Sequence, residues 1–375
     1  MKSFLKVFFG LLLAGGLFMF AFYRTPAERA FANHLKLAQA GDNEAAVALA
    51  HDYQDGRGTK PNKEQALAWY QQAAGRGSVQ AQLDLFLLYT KGRLVPADPQ
   101  AALAYLQAAA QQNHPHAQYK IGNMYRQGQT LPQHEGQALF WYIKAAANGS
   151  QEAAAKVNAF RAEKPALYEA VNRFVQRLQE AEQAQAQAQL EVAQAYRYGN
   201  PVLRDDEAAF SWFQKAWETS AHTLSQAAYE MADQYYSGEG VEKNEEQAMT
   251  LFAQAAELKN AAAQYQLGVF AYAEEPARLE DAFAWFSNAA TQGHAQAQYM
   301  TGFMLMQGQG TKLSVPLAIR FFEQAANQND SAAQYVLGQI YLQGLGVKKN
   351  RARGKAWLKL AAQNGSEAAK TLLGE

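Results

Sequence analysis

Gly-x-Gly recurs at Gly56, Gly238, Gly308 and Gly344, with Lys243 close behind the second and Lys348–Lys349 behind the last. A loop of this kind cradles phosphate when it follows a strand and opens a helix. Here each pair follows a helical pattern and returns at a fixed register, so it reads as a turn. His114 and His116 flank Pro115 and are the only close pair among the seven histidines. No third ligand stands nearby, and catalytic zinc takes three protein ligands. The acidic doublets Asp205–Asp206, Glu245–Glu246 and Glu274–Glu275 fall in or beside polar spacers. Solvated helix starts suit them better than paired catalytic carboxylates, which need a shared cleft. Neither G-x-S-x-G nor H-E-x-x-H occurs, and the absence of cysteine removes disulfides, thiolate metal sites and thiol nucleophiles. The expectation is a protein that is not an enzyme and uses no metal and no cofactor.

The elements that carry these residues repeat every 36 residues. From Ala45, Ala81 and Ala117 the same offsets bring Leu49, Leu85 and Ile121, then Tyr53, Tyr89 and Tyr125, then Gly56, Gly92 and Gly128. Further on come Ala66, Ala102 and Ala138, the aromatic sites Trp69–Tyr70, Tyr105 and Trp141–Tyr142, and closing alanine pairs such as Ala73–Ala74. More units open at Ala188, Ala227, Ala263, Ala297 and Ala333, giving eight with spacings of 36, 36, 71, 39, 36, 34 and 36 residues. Half-units at Glu28–Gly41 and Ala369–Gly374 would cover the ends of such an array. Within a unit, Ala227, Met231, Ala232 and Tyr235 mark one face of a helix, two glycines break it, and Ala248, Leu251–Phe252 and Ala255–Ala256 mark a second. Each unit is a pair of antiparallel helices that buries its apolar face only against its neighbours. The fold class is therefore all-α, a solenoid of helix-turn-helix repeats.

Charge is balanced, with 34 Lys plus Arg against 34 Asp plus Glu. Without Lys2, Lys6 and Arg24 the remainder is 31 basic and 34 acidic residues, a net of −3. That balance argues against nucleic acid as a partner. Phe4 to Tyr23 is apolar apart from Lys6, long enough to cross a bilayer, and Lys2 and Lys6 put its start on the cytoplasmic side. The domains expected are a membrane anchor over 1–24, a first arm over 28–152, a degenerate repeat or long helical connector over 153–187, and a second arm over 188–375. The anchor would be an N-terminal transmembrane helix in the inner membrane, with the repeats facing the periplasm. A cleaved signal peptide is the other reading of 1–24, although Phe20-Ala21-Phe22-Tyr23-Arg24 offers no small-x-small site. In 153–187 the tyrosine and glycine of the repeat are missing, Pro165 should stop or kink a helix, and Val171, Phe174–Val175 and Leu178 recur at helical spacing. One long amphipathic helix running into the next repeat is expected there, with a flexible linker as its rival.

These residues resemble the Sel1-like repeat family, a relative of tetratricopeptide repeats whose pattern runs A-x-x-x-L-G-x-x-Y-x-x-G-x-G-V, a spacer, then A-x-x-W-[FY]-x-x-A-A-x-x-G. Ala333–Gly365 carries it almost intact, with Gly354 in place of an alanine; Ala193 and Ala232 replace the first glycine elsewhere. The resemblance covers some 290 of 375 residues. It implies a right-handed α-solenoid acting as a scaffold or adaptor that binds protein partners in the bacterial envelope. It also admits a periplasmic immunity protein against a phospholipase-type toxin. A secreted hydrolase of the β-lactamase-linked subgroup fits poorly, because that subgroup pairs cysteines within its repeats.

By analogy with tetratricopeptide repeats, offsets six and nine of each first helix point into a concave groove. In the first arm and its junction these are polar for the most part, including His51, Gln54, Asn123, Arg126, Gln194 and Arg197. In the second arm they include Tyr236, Val269, Tyr272, Phe303, Met306 and Leu342, an apolar and aromatic set of the kind that forms binding centres. These six are the candidate partner-binding residues. The competing reading of the same register packs them between repeats.

Overall fold

Most first helices begin on a polar cap and stop on a glycine; the exceptions are the one that starts behind Leu224 and the one that ends at Glu274. The opening alanine is the third residue of its helix: Asp42 accepts a hydrogen bond from the Ala45 amide at 2.8 Å, Ser78 from Ala81 at 3.3 Å and Asp330 from Ala333 at 2.8 Å. Such caps satisfy amides that have no partner inside the helix. After thirteen residues of helix the chain turns at Gly56, Gly92, Gly128, Gly199, Gly238, Gly308 or Gly344, all left-handed with φ between 65° and 83°. Second helices start behind Asn62, Asp98, His134, Asp205, Asn244 and Asn350, each accepting from a backbone amide of the first turn.

The computed structural model describes residues 25–274 and 276–374, and among them forms twenty α-helices and no strand. Contacts divide the chain into two units. The first runs to Arg173 and includes Pro201–Leu203; the second takes Phe174–Asn200 and Arg204 onward. In the first unit α1 (Pro26–Gln39) is a lone second helix, followed by the pairs α2 (Asn43–Asp55) with α3 (Lys63–Gly75), α4 (Val79–Lys91) with α5 (Pro99–Gln111), and α6 (Pro115–Gln127) with α7 (Glu135–Ala147). In the second unit the pairs are α10 (Ala186–Tyr198) with α11 (Asp206–Thr219), α12 (Ser225–Ser237) with α13 (Glu245–Glu257), α14 (Ala261–Ala273) with α15 (Leu279–Thr291), α16 (Ala295–Gln307) with α17 (Val315–Asn327), and α18 (Ser331–Gln343) with α19 (Arg351–Gln363). α20 (Glu367–Leu373) packs on α19.

Within 153–187 the chain breaks at Pro165 as expected, but the long helix that follows does not run into the next repeat. α8 (Gln151–Glu163) ends where the Lys164 amide bonds back to the Phe160 carbonyl at 2.8 Å, and Pro165 opens α9 (Pro165–Glu182). Proline, lacking an amide proton, breaks an interior but suits a first position. α9 is 18 residues long, and Ala184 at φ 58° separates it from α10. The division between units falls inside α9. Among the described residues no helix is long and apolar enough to cross a membrane; the anchor expected over 1–24 lies outside them.

Small residues set the spacing of the helices. Opening alanines such as Ala81, Ala117, Ala263 and Ala297, and closing ones such as Ala73, Ala109, Ala289 and Ala325, are fully buried. At offset five the glycine leaves room for a large side chain from the paired helix. A Cβ on Gly122 would lie 2.6 Å from the Tyr142 ring, and one on Gly268 2.7 Å from Phe286. The second glycine of the turn works between repeats: a Cβ on Gly240 would meet the Asp206 carbonyl at 2.2 Å, and one on Gly310 the Leu279 carbonyl at 2.0 Å. The loop of each such repeat rests on the start of the preceding second helix.

A polar ladder runs through this apolar packing. Gln82, Gln118, Gln189, Gln264, Gln298 and Gln334, each one residue after an opening alanine, are buried. Each side-chain amide donates to the closing alanine carbonyl eight residues back, as Gln118 does to Ala110 at 3.0 Å and Gln334 to Ala326 at 2.9 Å. In all but Gln189 the side-chain oxygen accepts from the end of the paired second helix: Gln112 to Gln82 at 3.0 Å, Asn148 to Gln118 at 2.9 Å, Gln292 to Gln264 at 2.7 Å, Gln328 to Gln298 at 2.8 Å and Asn364 to Gln334 at 2.9 Å. One buried side chain thus joins two consecutive repeats. Replacing Gln334 by Leu is expected to cost about 1–3 kcal/mol in urea unfolding, because partners on both sides lose a hydrogen bond. Gln334→Glu should cost more at neutral pH, since a carboxylate cannot donate to the Ala326 carbonyl. Equal stability of all three proteins would remove the ladder as a determinant of the fold.

Candidate partner-binding surface

In the second unit the six candidate residues lie on four first helices in succession, α12, α14, α16 and α18. Tyr236 is 41% exposed; its ring sits 5.2 Å from Phe270, with the Lys243 ammonium 5.8 Å from the ring centre. Val269, Tyr272, Phe303, Met306 and Leu342 are half-buried. Val269 and Tyr272 pack on the core of Ala271, Ala282, Phe286 and Met304, and the Tyr272 hydroxyl donates to Gln309 in the next repeat's turn at 3.2 Å. Phe303 touches that core and the following one around Leu305 and Phe322, where Met306 also packs. Leu342 packs against the Leu358 cluster. These side chains therefore bridge repeats on their inner side and keep the rest of their surface in solvent.

The same offsets in the first unit build a polar cleft. His51 Nδ1 lies 2.8 Å from the Tyr70 hydroxyl, which donates to Gln54 at 3.1 Å, while His51 Nε2 is 3.5 Å from an Asp84 carboxylate oxygen. With Leu87, Leu88, Lys91 and Arg93 they line a cleft of about 150 Å³. The hydrogen bond to Asp84 raises the His51 pKa above 6.5 against the opposing effect of burial. In its protonated form both ring nitrogens can donate, one to Tyr70 and one to Asp84. Burial, helped by Asp84 and Asp55, holds Tyr70 far above the ordinary phenol value, so it keeps its proton. In the next but one repeat Tyr142 repeats the contact, donating to Asn123 at 2.8 Å.

Arg197, nine residues after the opening Ala188 of α10, is a structural residue and not a free groove side chain. Only 10% of it is exposed, and its guanidinium meets Asp206 at 2.8 Å, Asp233 at 2.8 Å and Glu239 at 2.7 Å. Arg204 pairs with Asp206 at 2.9 Å and Glu239 at 3.0 Å. Burial works to raise the Asp206 carboxyl, but hydrogen bonds from Arg204 and Arg197 outweigh it and leave its pKa below the ordinary value. Of the doublet expected to be two solvated residues, Asp205 caps α11 and Asp206 closes this network. The network lies where the turn of Gly238–Gly240 rests on α11.

The remaining sequence candidates do not converge. His114 caps α6, accepting from the Ala117 amide at 3.3 Å, and burial lowers the His116 pKa. Among the described residues no group of three His, Asp or Glu is placed to hold a metal. The Gly-x-Gly turns follow helices, with no strand before them among the described residues. The buried glutamines were missed by sequence reasoning, although their position beside six of eight opening alanines was the available signal.

Paired antiparallel helices joined by a left-handed glycine, stacked through alanines and a glutamine ladder, define a helix-pair repeat protein. Segments 43–78, 79–114, 115–150, 186–217 and 331–366 match the family described as Sel1 repeat, and 239–316 matches plant tetratrico peptide repeats. The chain belongs to the Sel1 repeat family. Its similar solved structures include a protective antigen of uropathogenic Escherichia coli with the same repeat (27% identity, 90% of this chain and 80% of that one, TM-score 0.42). A Sel1 repeat protein from Oxalobacter formigenes is 27% identical over 92% of this chain and 90% of its own (TM-score 0.48). An immunity protein from Pseudomonas aeruginosa is 19% identical over 67% of this chain and 81% of its own (TM-score 0.36). None of these superpositions is close enough to carry a functional conclusion. No curated protein matches the chain.

The two polar clusters respond to pH in opposite directions. The raised His51 pKa stabilises the first unit fully below the unfolded value near 6.5, and that contribution is lost as pH rises through the folded value. Asp84→Asn should bring the His51 titration, followed by NMR, back down toward 6.5. An unchanged midpoint would show that Asp84 does not hold the proton. The lowered Asp206 pKa stabilises the second unit above the ordinary carboxylate value of 3.8 and loses that contribution as pH falls through the folded value.

Proposed function

We propose that this protein is a non-enzymatic adaptor of the bacterial cell envelope that holds a partner protein on the row from Tyr236 to Leu342. One observation carries the reading: at two fixed offsets on four consecutive first helices, six of the eight side chains are aromatic or aliphatic and half-exposed, Asp233 and Gln339 being the others, where the first unit's counterparts are mostly polar. Apolar side chains already fixed by packing lose little further freedom when a partner covers them, which favours binding. Membership of a family whose repeats bind proteins supports the same reading. The apolar run from Phe4 to Tyr23 behind Lys2 and Lys6 supports an inner-membrane anchor with the repeats in the periplasm.

A photo-crosslinking amino acid in place of Tyr236 or Tyr272, in full-length protein in native membranes, should trap one defined partner. The same group in place of the exposed Gln72 of the first unit should not. The double variant Tyr236→Ala, Tyr272→Ala should bind that partner at least about tenfold more weakly while staying folded. Phe303 is left intact because it packs on two cores, and Phe303→Ala would itself cost about 3 kcal/mol of stability. A trapped lipase-type toxin would make the role immunity. Equal trapping at all positions, or binding unaffected by the double variant, would remove the row as the binding surface.

A further inference from the structure

Charge is balanced over the whole chain but not in its last complete repeat. Between Asp330 and Glu367 there is no acidic residue, while Lys348, Lys349, Arg351, Arg353, Lys355 and Lys359 fall within twelve positions. All six are exposed. Arg353 pairs with Glu323 at 2.9 Å and lies over the Tyr341 ring. Among the described residues no carboxylate pairs with the other five.

Their placement follows from helix geometry. On α19 the buried side is formed by Gly354, Leu358, Ala361 and Ala362. Arg351, Lys355 and Lys359, four residues apart, make one stripe along its flank, and Lys348 and Lys349 extend it from the preceding turn. In the repeat before, the place of Lys355 is taken by Ile319, which is 6% exposed. Cations thus stand where the preceding repeat has a buried aliphatic side chain. Two exposed apolar side chains lie close by in the chain: Leu345, in the turn just before the lysines, is 47% exposed, and Leu360, which follows Lys359, is 41% exposed.

We propose that the repeat 331–366 docks on an anionic lipid surface through Lys348, Lys349, Arg351, Lys355 and Lys359. Charge complementarity argues for the occupant, and the chemistry of the cations selects it. Four of the five are lysines, compact charges without the forked geometry that arginine uses to grip one particular carboxylate. An array of point charges with separate exposed leucines close by in the chain suits a laterally uniform layer of phosphate headgroups, with the leucines entering its apolar margin. The attraction adds up over the lysines and weakens with salt. This proposal does not rest on the partner row and stands or falls without it.

Full-length protein is to be mixed with vesicles of phosphatidylcholine alone or with added phosphatidylglycerol, and the bound fraction read by flotation. The apolar N-terminal run meets both kinds of vesicle, so the gain on adding phosphatidylglycerol is the quantity of interest. Wild type should bind the anionic vesicles at least about tenfold more tightly than the neutral ones, with the gain lost at high salt. The variant K348Q/K349Q/K355Q/K359Q should lose the gain and keep its binding to neutral vesicles. A control with equal loss of charge, K36Q/K60Q/K63Q/K215Q, should retain the gain. Circular dichroism melting of each variant establishes that the fold is intact. Equal binding of wild type to both vesicles, or an unchanged gain in the first variant, overturns the proposal. So does binding of a polyglutamate peptide that depends on these lysines when no lipid gain exists, which would assign the patch to an acidic protein segment.

Discussion

A buried glutamine that serves two repeats at once is the interaction on which this architecture depends. Alanine-lined helices pack closely but without strong direction, since smooth apolar surfaces can slide past one another. The Gln118 amide, fully buried between the Ala110 carbonyl and Asn148, fixes how far one helix pair is offset from the next. Leaving such a group unpaired in an apolar interior is costly, so each rung favours one register. The constraint is also visible where it lapses. The spacing between the units at Ala188 and Ala227 is 39 residues, and there the Gln189 side-chain oxygen is buried without a partner among the described residues. At Ala228 the ladder residue itself is absent. Gln226, Glu230 and Tyr198 form a substitute bridge, with the Tyr198 hydroxyl donating to Glu230 at 2.8 Å. The Arg197 network occupies the same junction. Charge-assisted bonds hold together the place where the repeating bond fails.

Once register is fixed, the surface follows. First helices present the same two offsets in every repeat, so a change of residue type there changes the surface without disturbing the stack. In the first unit those offsets form hydrogen-bonded groups, as His51 does with Tyr70 and Asp84. In the second most of them become rings and aliphatic chains whose inner parts fill gaps between repeats. Phe303 belongs to the core and to the surface at once, and the two readings of its register are not exclusive. A repeat protein can therefore evolve binding specificity on positions that also contribute stability, at the cost of coupling the two.

Much of this was legible in order along the chain. The 36-residue period, the glycine turns and the alanine pairs gave the helix pairs and their limits, and Pro165 was recognised as a breaker. The long helix expected after Pro165 was to run into the next repeat, but the structure begins it at that proline and breaks it at Ala184, where no glycine or proline in the sequence marked a stop. The glutamines escaped notice because a polar residue beside a core alanine looks like a solvent position. Only the carbonyl at the end of the preceding repeat and the partner some thirty residues on, at the end of the paired helix, make burial tolerable. Arg197 was assigned to an open groove for the same reason, its Asp233 and Glu239 partners being 36 and 42 residues away.

The sequence alone determined local matters: where helices start, how long they run and where they turn. Caps, glycines and prolines act within a few residues of themselves, so their effect survives without knowledge of the neighbours. Only the tertiary structure decided which polar groups lie inside, which arginine is locked, and how much of each offset-six and offset-nine side chain remains in solvent. Those outcomes depend on the loop and helix of the adjoining repeat, which reach a residue through space after some thirty intervening positions. Burial belongs to the stack and cannot be read from one helix pair.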